Sequence, residues 1–219
     1  MFEQLLDFSS IYFIMQGMVV TLKYSIVSVL LGLIIGILLA ICKVSKSCAL
    51  RLFANFYTSI FRGTPLLIQL SIIYFGLPSV IDIKLGVFVA GSIAFSLNSG
   101  AYVSEIIRAG INSVDKGQIE AAKALAIPER LMMKDIILPQ AIRNILPSLV
   151  NELINLIKES SIISMIGEMD LMRRAQLVSL ESYTYFTPML IAGLCYYVMV
   201  IIISKLAKII EKRLVIGAE

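Results

Sequence analysis

Long apolar runs separated by short polar stretches dominate the chain. A helix needs about 20 mainly apolar residues to cross the hydrocarbon of a bilayer. Five runs suit that length: residues 18–42, 52–76, 85–107, 145–166 and 188–206. The first carries one charge, Lys23, near its start; the second is interrupted by Arg62-Gly63-Thr64-Pro65; the third has Glu105 near its end; the fourth is the most polar. These runs are too long for strands and lack the two-residue alternation of a membrane barrel. The pattern therefore predicts an all-α integral membrane fold of five transmembrane helices. Gly32, Gly36 and Ala40 recur at four-residue spacing in the first span, as close packing against a neighbouring helix requires. The residue before a proline avoids the helical region, so a kink or break falls at Gly63-Thr64. The second span then either runs through it or begins at Pro65, leaving 52–62 as an interfacial helix with Arg62 at its end. Residues 2–15 form a short amphipathic stretch suited to the membrane surface. With Glu3 and Asp7 where positive charge is needed, the N-terminus does not read as a cleaved signal.

Composition narrows the class. Of 219 residues, 58% are apolar and only 16% are charged, against about 25% charged in soluble domains. Mean hydropathy is +0.90. A soluble globule of this length cannot hide so much apolar surface, and disorder demands the opposite composition. Three cysteines, with Cys42 and Cys195 in apolar runs, do not make a disulfide framework. The chain has no histidine, which removes the commonest metal ligand and the usual activator of Ser or Cys nucleophiles. No Gly-x-Ser-x-Gly elbow is present either. An intramembrane enzyme is therefore disfavoured, and no catalytic residue, cofactor, metal or nucleic-acid partner is expected. Uniform composition without a repeat points to one domain over residues 1–219.

Net charge is only +4, but its placement is informative. Lys43, Lys46 and Arg51 follow the first span. Arg108, Lys116, Lys123, Arg130, Lys134 and Arg143 follow the third, and Lys205, Lys208, Lys212 and Arg213 close the chain. The positive-inside rule places these in the cytoplasm, with the N-terminus outside and the C-terminus inside. Five crossings agree with opposite ends.

The segment 109–144 is the most informative. Ser113 is positioned to cap a helix starting near Val114. A turn follows at Ala126-Ile127, and a second helix starts near Pro128 and ends at about Ile137, where Pro139 breaks the pattern. Glu120-Ala121-Ala122 and then Ile137-Leu138-Pro139 resemble the "EAA" loop of bacterial ABC-importer permeases. Arg62-Gly63-Thr64-Pro65-Leu66-Leu67, the stretch from Leu97-Asn98-Ser99-Gly100 to Ala109-Gly110-Ile111, and Lys158-Glu159-Ser160-Ser161 extend the match. Together they resemble the polar amino-acid permeases of the histidine/glutamine/arginine group, and within it the glutamine-transport permeases, from about Gly17 to the basic C-terminal helix.

The resemblance implies a bacterial inner-membrane transport subunit without its own motor. The chain lacks G-x-x-x-x-G-K-[ST], so a separate ABC ATPase subunit is implied. Glu120, Ala121, Ala122, Ala126, Pro128, Leu138 and Pro139 would form the coupling element that docks in a groove on that ATPase. An extracytoplasmic solute-binding protein would meet the outer segment 167–185, and a second permease copy or homologue would complete the pathway in the lipid bilayer. One departure stands out: the family usually has Gly where this chain has Ala126, which calls the tight turn into question. Ile127-Pro128 could set it instead.

Polar groups inside the spans give candidate substrate contacts. Asn98, Tyr102 and Glu105 fall on one helical face, and Ser148, Glu152, Asn155 and Glu159 on another, with Lys158 beside them. Two stripes on adjacent spans could line one cavity for a zwitterion. Glu105 or Glu152 would meet the ammonium, Lys158 the carboxylate, and Asn98, Asn155 and Ser160 the remaining polar atoms. Each residue could equally serve as interhelical glue. The competing function is an ATPase-independent channel or secondary transporter for small polar solutes.

Overall fold

The computed structural model of the chain describes residues 7–216, with side chains through Ile209. Residues 2–6 of the amphipathic stretch, and the side chains of Lys212 and Arg213, lie outside what it describes. Among the described residues all regular structure is helical.

Helix α1 spans Phe8–Val44, with the Asp7 carboxylate accepting from Ser9 N at 3.3 Å. Its 37 residues extend about 55 Å at ~1.5 Å per residue, well beyond the ~30 Å hydrocarbon. Residues 8–15 are thus a continuation of the first span, not a separate surface helix. The face of α1 turned into the protein is small and polar: Thr21, Tyr24, Ser25, Ser28, Gly32, Gly36 and Ala40 are buried. Leu30, Leu31, Ile34, Leu38 and Ile41 face outward. That inversion is what a lipid environment permits.

Helices α2 (Cys48–Gly63) and α3 (Leu66–Ile81) meet at a bend of 102°. Thr64 is extended, as the restriction before Pro65 demands. The apolar run 52–76 is therefore two helices, and the break lies at Thr64-Pro65. A π-helical turn occupies Ile72–Gly76 within α3. Helix α4 covers Val87–Asn112 and α5 covers Lys116–Ala124. Helix α6 runs unbroken through residues 129–159 and tightens to a 3-10 turn at Ser160–Ile166. Helix α7 is Leu171–Glu181 and α8 is Phe186–Ile216.

Helices α1, α4 and the Phe186–Ile209 part of α8 are each long and apolar enough to cross a bilayer, and the bent α2–α3 pair makes a fourth crossing if taken as one span. Helix α6, which contains most of 145–166, is too polar to qualify alone. Arg143, Asn144, Asn151, Glu152, Asn155, Lys158 and Glu159 interrupt its apolar residues.

The α1–α4 seam organises the bundle. A Cβ on Gly32 would sit 2.7 Å from the Ser99 Cβ, one on Gly36 2.5 Å from Val103 Cγ1, and one on Gly100 2.5 Å from Ile35 Cγ2. The two backbones approach as only glycine allows.

Two expectations for 109–144 are corrected. Ser113 closes α4, its hydroxyl donating to Gly110 O at 2.8 Å, while Asp115 caps α5 by accepting from Gly117 N at 2.6 Å. Pro139 does not end the second helix. The preceding turn, Met132–Ile137, is π-helical, with Leu138 N bonded to Met133 O five residues back. That wider register, followed by proline in the first turn of the renewed α-helix, absorbs the missing N–H.

The turn after α5 is a Schellman closure. Ile127 N donates to Ala122 O at 3.0 Å and Ala126 N to Lys123 O at 3.0 Å. The geometry requires a left-handed residue between them, and Ala126 supplies it at φ +53°. The tight turn thus forms without glycine, held by these two bonds and by Ile127 packing beside buried Ala122. A left-handed non-glycine residue costs roughly 1–2 kcal/mol, part of which glycine would give back through its greater unfolded-state freedom. Ala126→Gly is expected to raise stability by about 0.5–1 kcal/mol, and Ala126→Val, β-branched, to lower it by more than ~1 kcal/mol. Thermal unfolding midpoints of the detergent-purified protein would show the order Gly, Ala, Val; the reverse order would refute the strain.

Candidate functional site

The polar residues of the two stripes fall into separate clusters. At the end of α6 a cleft of about 380 Å³ is lined by Asn155, Lys158, Glu159, Ser161 and Ile162. Helical spacing brings Asn155, Lys158, Glu159 and Ile162 to one side, and the tightened turn adds Ser161, whose hydroxyl donates to Lys158 O at 2.9 Å. Sequence spacing alone missed Ser161, because a uniform α-helical period does not anticipate the 3-10 turn at Ser160. Ser160 itself points inward. It is fully buried, donates to Ile157 O at 2.7 Å, and lies beside the Tyr196 hydroxyl together with Thr21 and Asp170.

Glu152 lies one turn before the cleft and is 7% exposed. It faces the Ser99 side chain of α4, with Glu159 as its charged neighbour. The Ser99 hydroxyl is buried and completes no hydrogen bond. No ion pair forms at Glu152, Lys158 or Glu159 among the described residues.

Asn98, Tyr102 and Glu105 take other partners and are absent from the cleft lining. Asn98 Nδ2 donates to Phe61 O and Gln69 Oε1, both at 3.1 Å. Gln69 Nε2 in turn donates to Phe61 O at 2.9 Å and to Thr64 Oγ1 at 2.9 Å. These amides satisfy carbonyls that the α2–α3 break leaves without helical partners. Glu105 is the hub of an ion cluster. Lys43 from α1 bonds it closely, Arg108 reaches it at 2.7 Å and Arg62 at 3.9 Å. Arg62 also lies 5.5 Å from the Tyr102 ring centre. The cluster ties the ends of α1, α2 and α4 together.

The segment 167–185 holds an ordered helix and is not a plain loop. Asp170, fully buried, caps α7 by accepting from Arg173 N at 2.9 Å and Met172 N at 3.3 Å. Burial pushes its carboxyl up to about 6, against the opposing pull of those N–H groups. Tyr24 donates to Glu168 at 2.5 Å, and Arg174 donates to Phe13 O at 3.1 Å and Gln16 Oε1 at 2.9 Å. A Cβ on Gly17 would meet Leu171 N at 2.5 Å, so the segment rests directly on α1.

In the coupling segment Glu120, Ala121, Ala124 and Ala126 are exposed, and Leu125 is 75% exposed at the tip. Pro128, Leu138 and Pro139 are exposed as well. Ala122 is not: it is 2% exposed and packs inward with Val114, Met132 and Ile137. The middle Ala of Glu120-Ala121-Ala122 therefore faces out, and the last one holds the hairpin together.

A family model described as "Binding-protein-dependent transport system inner membrane component" matches residues 32–216. A glutamine transport system permease protein of Rickettsia conorii is 72% identical over 99% of this chain and all of its own length. An arginine transport system permease protein of Bacillus subtilis is 53% identical over 95% of this chain and 97% of its own. A crystal structure of an amino acid ABC transporter with histidines superposes with a TM-score of 0.91 at 41% identity, covering 97% of this chain and 98% of that one. An inward-facing methionine ABC transporter has a TM-score of 0.68 at 17% identity, over 93% of this chain and 94% of its own, which shows a shared fold.

The Glu105 cluster yields a stability test. The Lys43 side chain is 4% exposed, so Glu105→Gln strands a buried ammonium. The expected loss is about 3 kcal/mol, the lower end for stranding such a charge, because Ser104 Oγ keeps one bond to Lys43 at 3.1 Å. Lys43→Met combined with Glu105→Leu should recover most of it. Equal unfolding midpoints for wild type and Glu105→Gln would show that the cluster carries no such energy.

Proposed function

We propose, on the premise that this chain belongs to the family of binding-protein-dependent transport system inner membrane components, that its substrate is a polar amino acid, glutamine first. The chain is the permease subunit of an ABC amino-acid importer and a multi-pass inner-membrane protein. Glutamine comes from the names of relatives that are 70–72% identical. As one transmembrane domain, it would cross the membrane five times, with α2–α3 and α6 supplying the second and fourth crossings. The N-terminus would lie outside and the C-terminus in the cytoplasm, as the basic residues favour.

The polar outer end of α6 is the observation that carries the transport path. Asn151, Asn155, Lys158 and Glu159 are exposed on this single chain. Facing lipid, a lysine near the helix centre would cost roughly 2.5–3.5 kcal/mol. This face is better suited to a watery path or to another subunit, and a second permease copy or homologue across it would provide both. Asn155, Lys158, Glu159 and Ser161 would then touch substrate, with Glu152 behind them. Asn98 and Glu105 would hold the helices that frame the path. A solute-binding protein would deliver substrate at the α7 side.

Helix α5 and its turn would transmit ATPase closure. Exposed Ala121 and Ala124 allow close approach of a partner backbone, and Leu125 projects an apolar tip. Without a phosphate-cradling P-loop of its own, the permease would rely on a separate chain for hydrolysis.

Ala121→Arg and Leu125→Asp are expected to leave the permease folded but to lower substrate-stimulated ATP hydrolysis of the reconstituted complex at least roughly tenfold, the scale of losing an interface hot spot. Unchanged stimulation in both would defeat the docking role. Ala122→Arg, by contrast, should lower the unfolding midpoint of the permease itself, because it places a charge in the hairpin core. In the same assay, Glu152→Ala should reduce stimulation more than assembly. If assembly fails first, Glu152 is a packing residue.

A further inference from the structure

We propose that the apolar groove between α1, α4 and α6 binds an acyl chain of an anionic phospholipid from the leaflet at its basic end. The groove holds about 610 Å³, and all of its lining side chains are apolar, among them Leu33, Ile37, Val44, Ile111, Met133 and Leu149. From Leu33 to Val44, α1 advances about 16 Å at ~1.5 Å per residue. One leaflet of hydrocarbon is about 15 Å deep, so the groove matches the reach of one leaflet.

An extended acyl chain runs the length of one leaflet, as the groove does. The groove is also continuous with the outward face of α1, where Leu30, Ile34, Leu38 and Ile41 are exposed. Basic residues follow its lining in sequence: Lys46 lies two residues beyond Val44, and Lys134 adjoins Met133. Both are exposed, and neither forms an ion pair among the described residues. A phosphate headgroup at the mouth would meet them, and its chain would fill the groove. Only the identity of the leaflet, cytoplasmic, rests on the orientation proposed above.

The test uses the intact importer in lipid nanodiscs containing a phosphatidylglycerol or a phosphatidylcholine probe with a photoreactive acyl chain. Peptide mapping should find labelling concentrated in residues 33–44 and 133–149. Phosphatidylglycerol should label more than phosphatidylcholine, by roughly fivefold for each lysine engaged. Ile142→Trp, at a half-exposed groove position, and independently Ile37→Trp, should abolish the labelling; Lys46→Gln with Lys134→Gln should equalise the two lipids. Even labelling along the outer face of α1, insensitive to either tryptophan, would mean ordinary annular lipid and overturn the proposal. Crosslinks from the groove to a second copy or another subunit would overturn it in favour of a protein occupant. Equal labelling by both lipids in the wild type would overturn the anionic preference. ATP hydrolysis by the same samples reports separately on the importer reading, so the two can fail independently.

Discussion

The close approach of α1 to α4 is the constraint on which the remaining structure depends. In a bilayer, burying leucine between helices gains little, because lipid tails are equally apolar. Association rests instead on dense van der Waals contact, and density requires small residues. Gly32, Gly36 and Gly100 leave no space for a Cβ. With the backbones so near, Lys43 reaches Glu105 across the seam and Tyr24 reaches Glu168 beyond it. A displaced seam would lose the Lys43–Glu105 pair.

The helices also break where the protein can satisfy the freed backbone groups. At Thr64-Pro65 the open carbonyls are met by Gln69 and Asn98, so a bend of 102° is tolerated. At Pro139 a π-helical turn keeps the chain in register from the coupling segment into α6. The hairpin is thereby joined through one continuous helix to the polar face at residues 155–161.

The coupling hairpin shows how local conflict is resolved by tertiary context. Ala126 is a poor residue for a left-handed position, yet the Schellman bonds and the packing of Ile127 and Ala122 outweigh the strain. Ala122 is consequently a structural residue of the hairpin, while Ala121, Ala124 and Leu125 are exposed.

Class, helical content and family were legible in the amino acids, because hydropathy over twenty residues and motif order are one-dimensional signals. The same holds for the small-residue spacing of Gly32, Gly36 and Ala40, and for the break before Pro65. What needed the tertiary structure was the direction of each polar side chain. Asn98 and Asn155 look alike as polar positions within apolar runs, but one closes a helix break and the other lines a cleft. Helical periodicity assigns a residue to a face of its own helix; only packing decides what that face meets. The π turn before Pro139 and the 3-10 turn at Ser160 shift that phase by a fraction of a turn. For that reason Pro139 continues a helix it was expected to end, and Ser161 rather than Ser160 reaches the cleft.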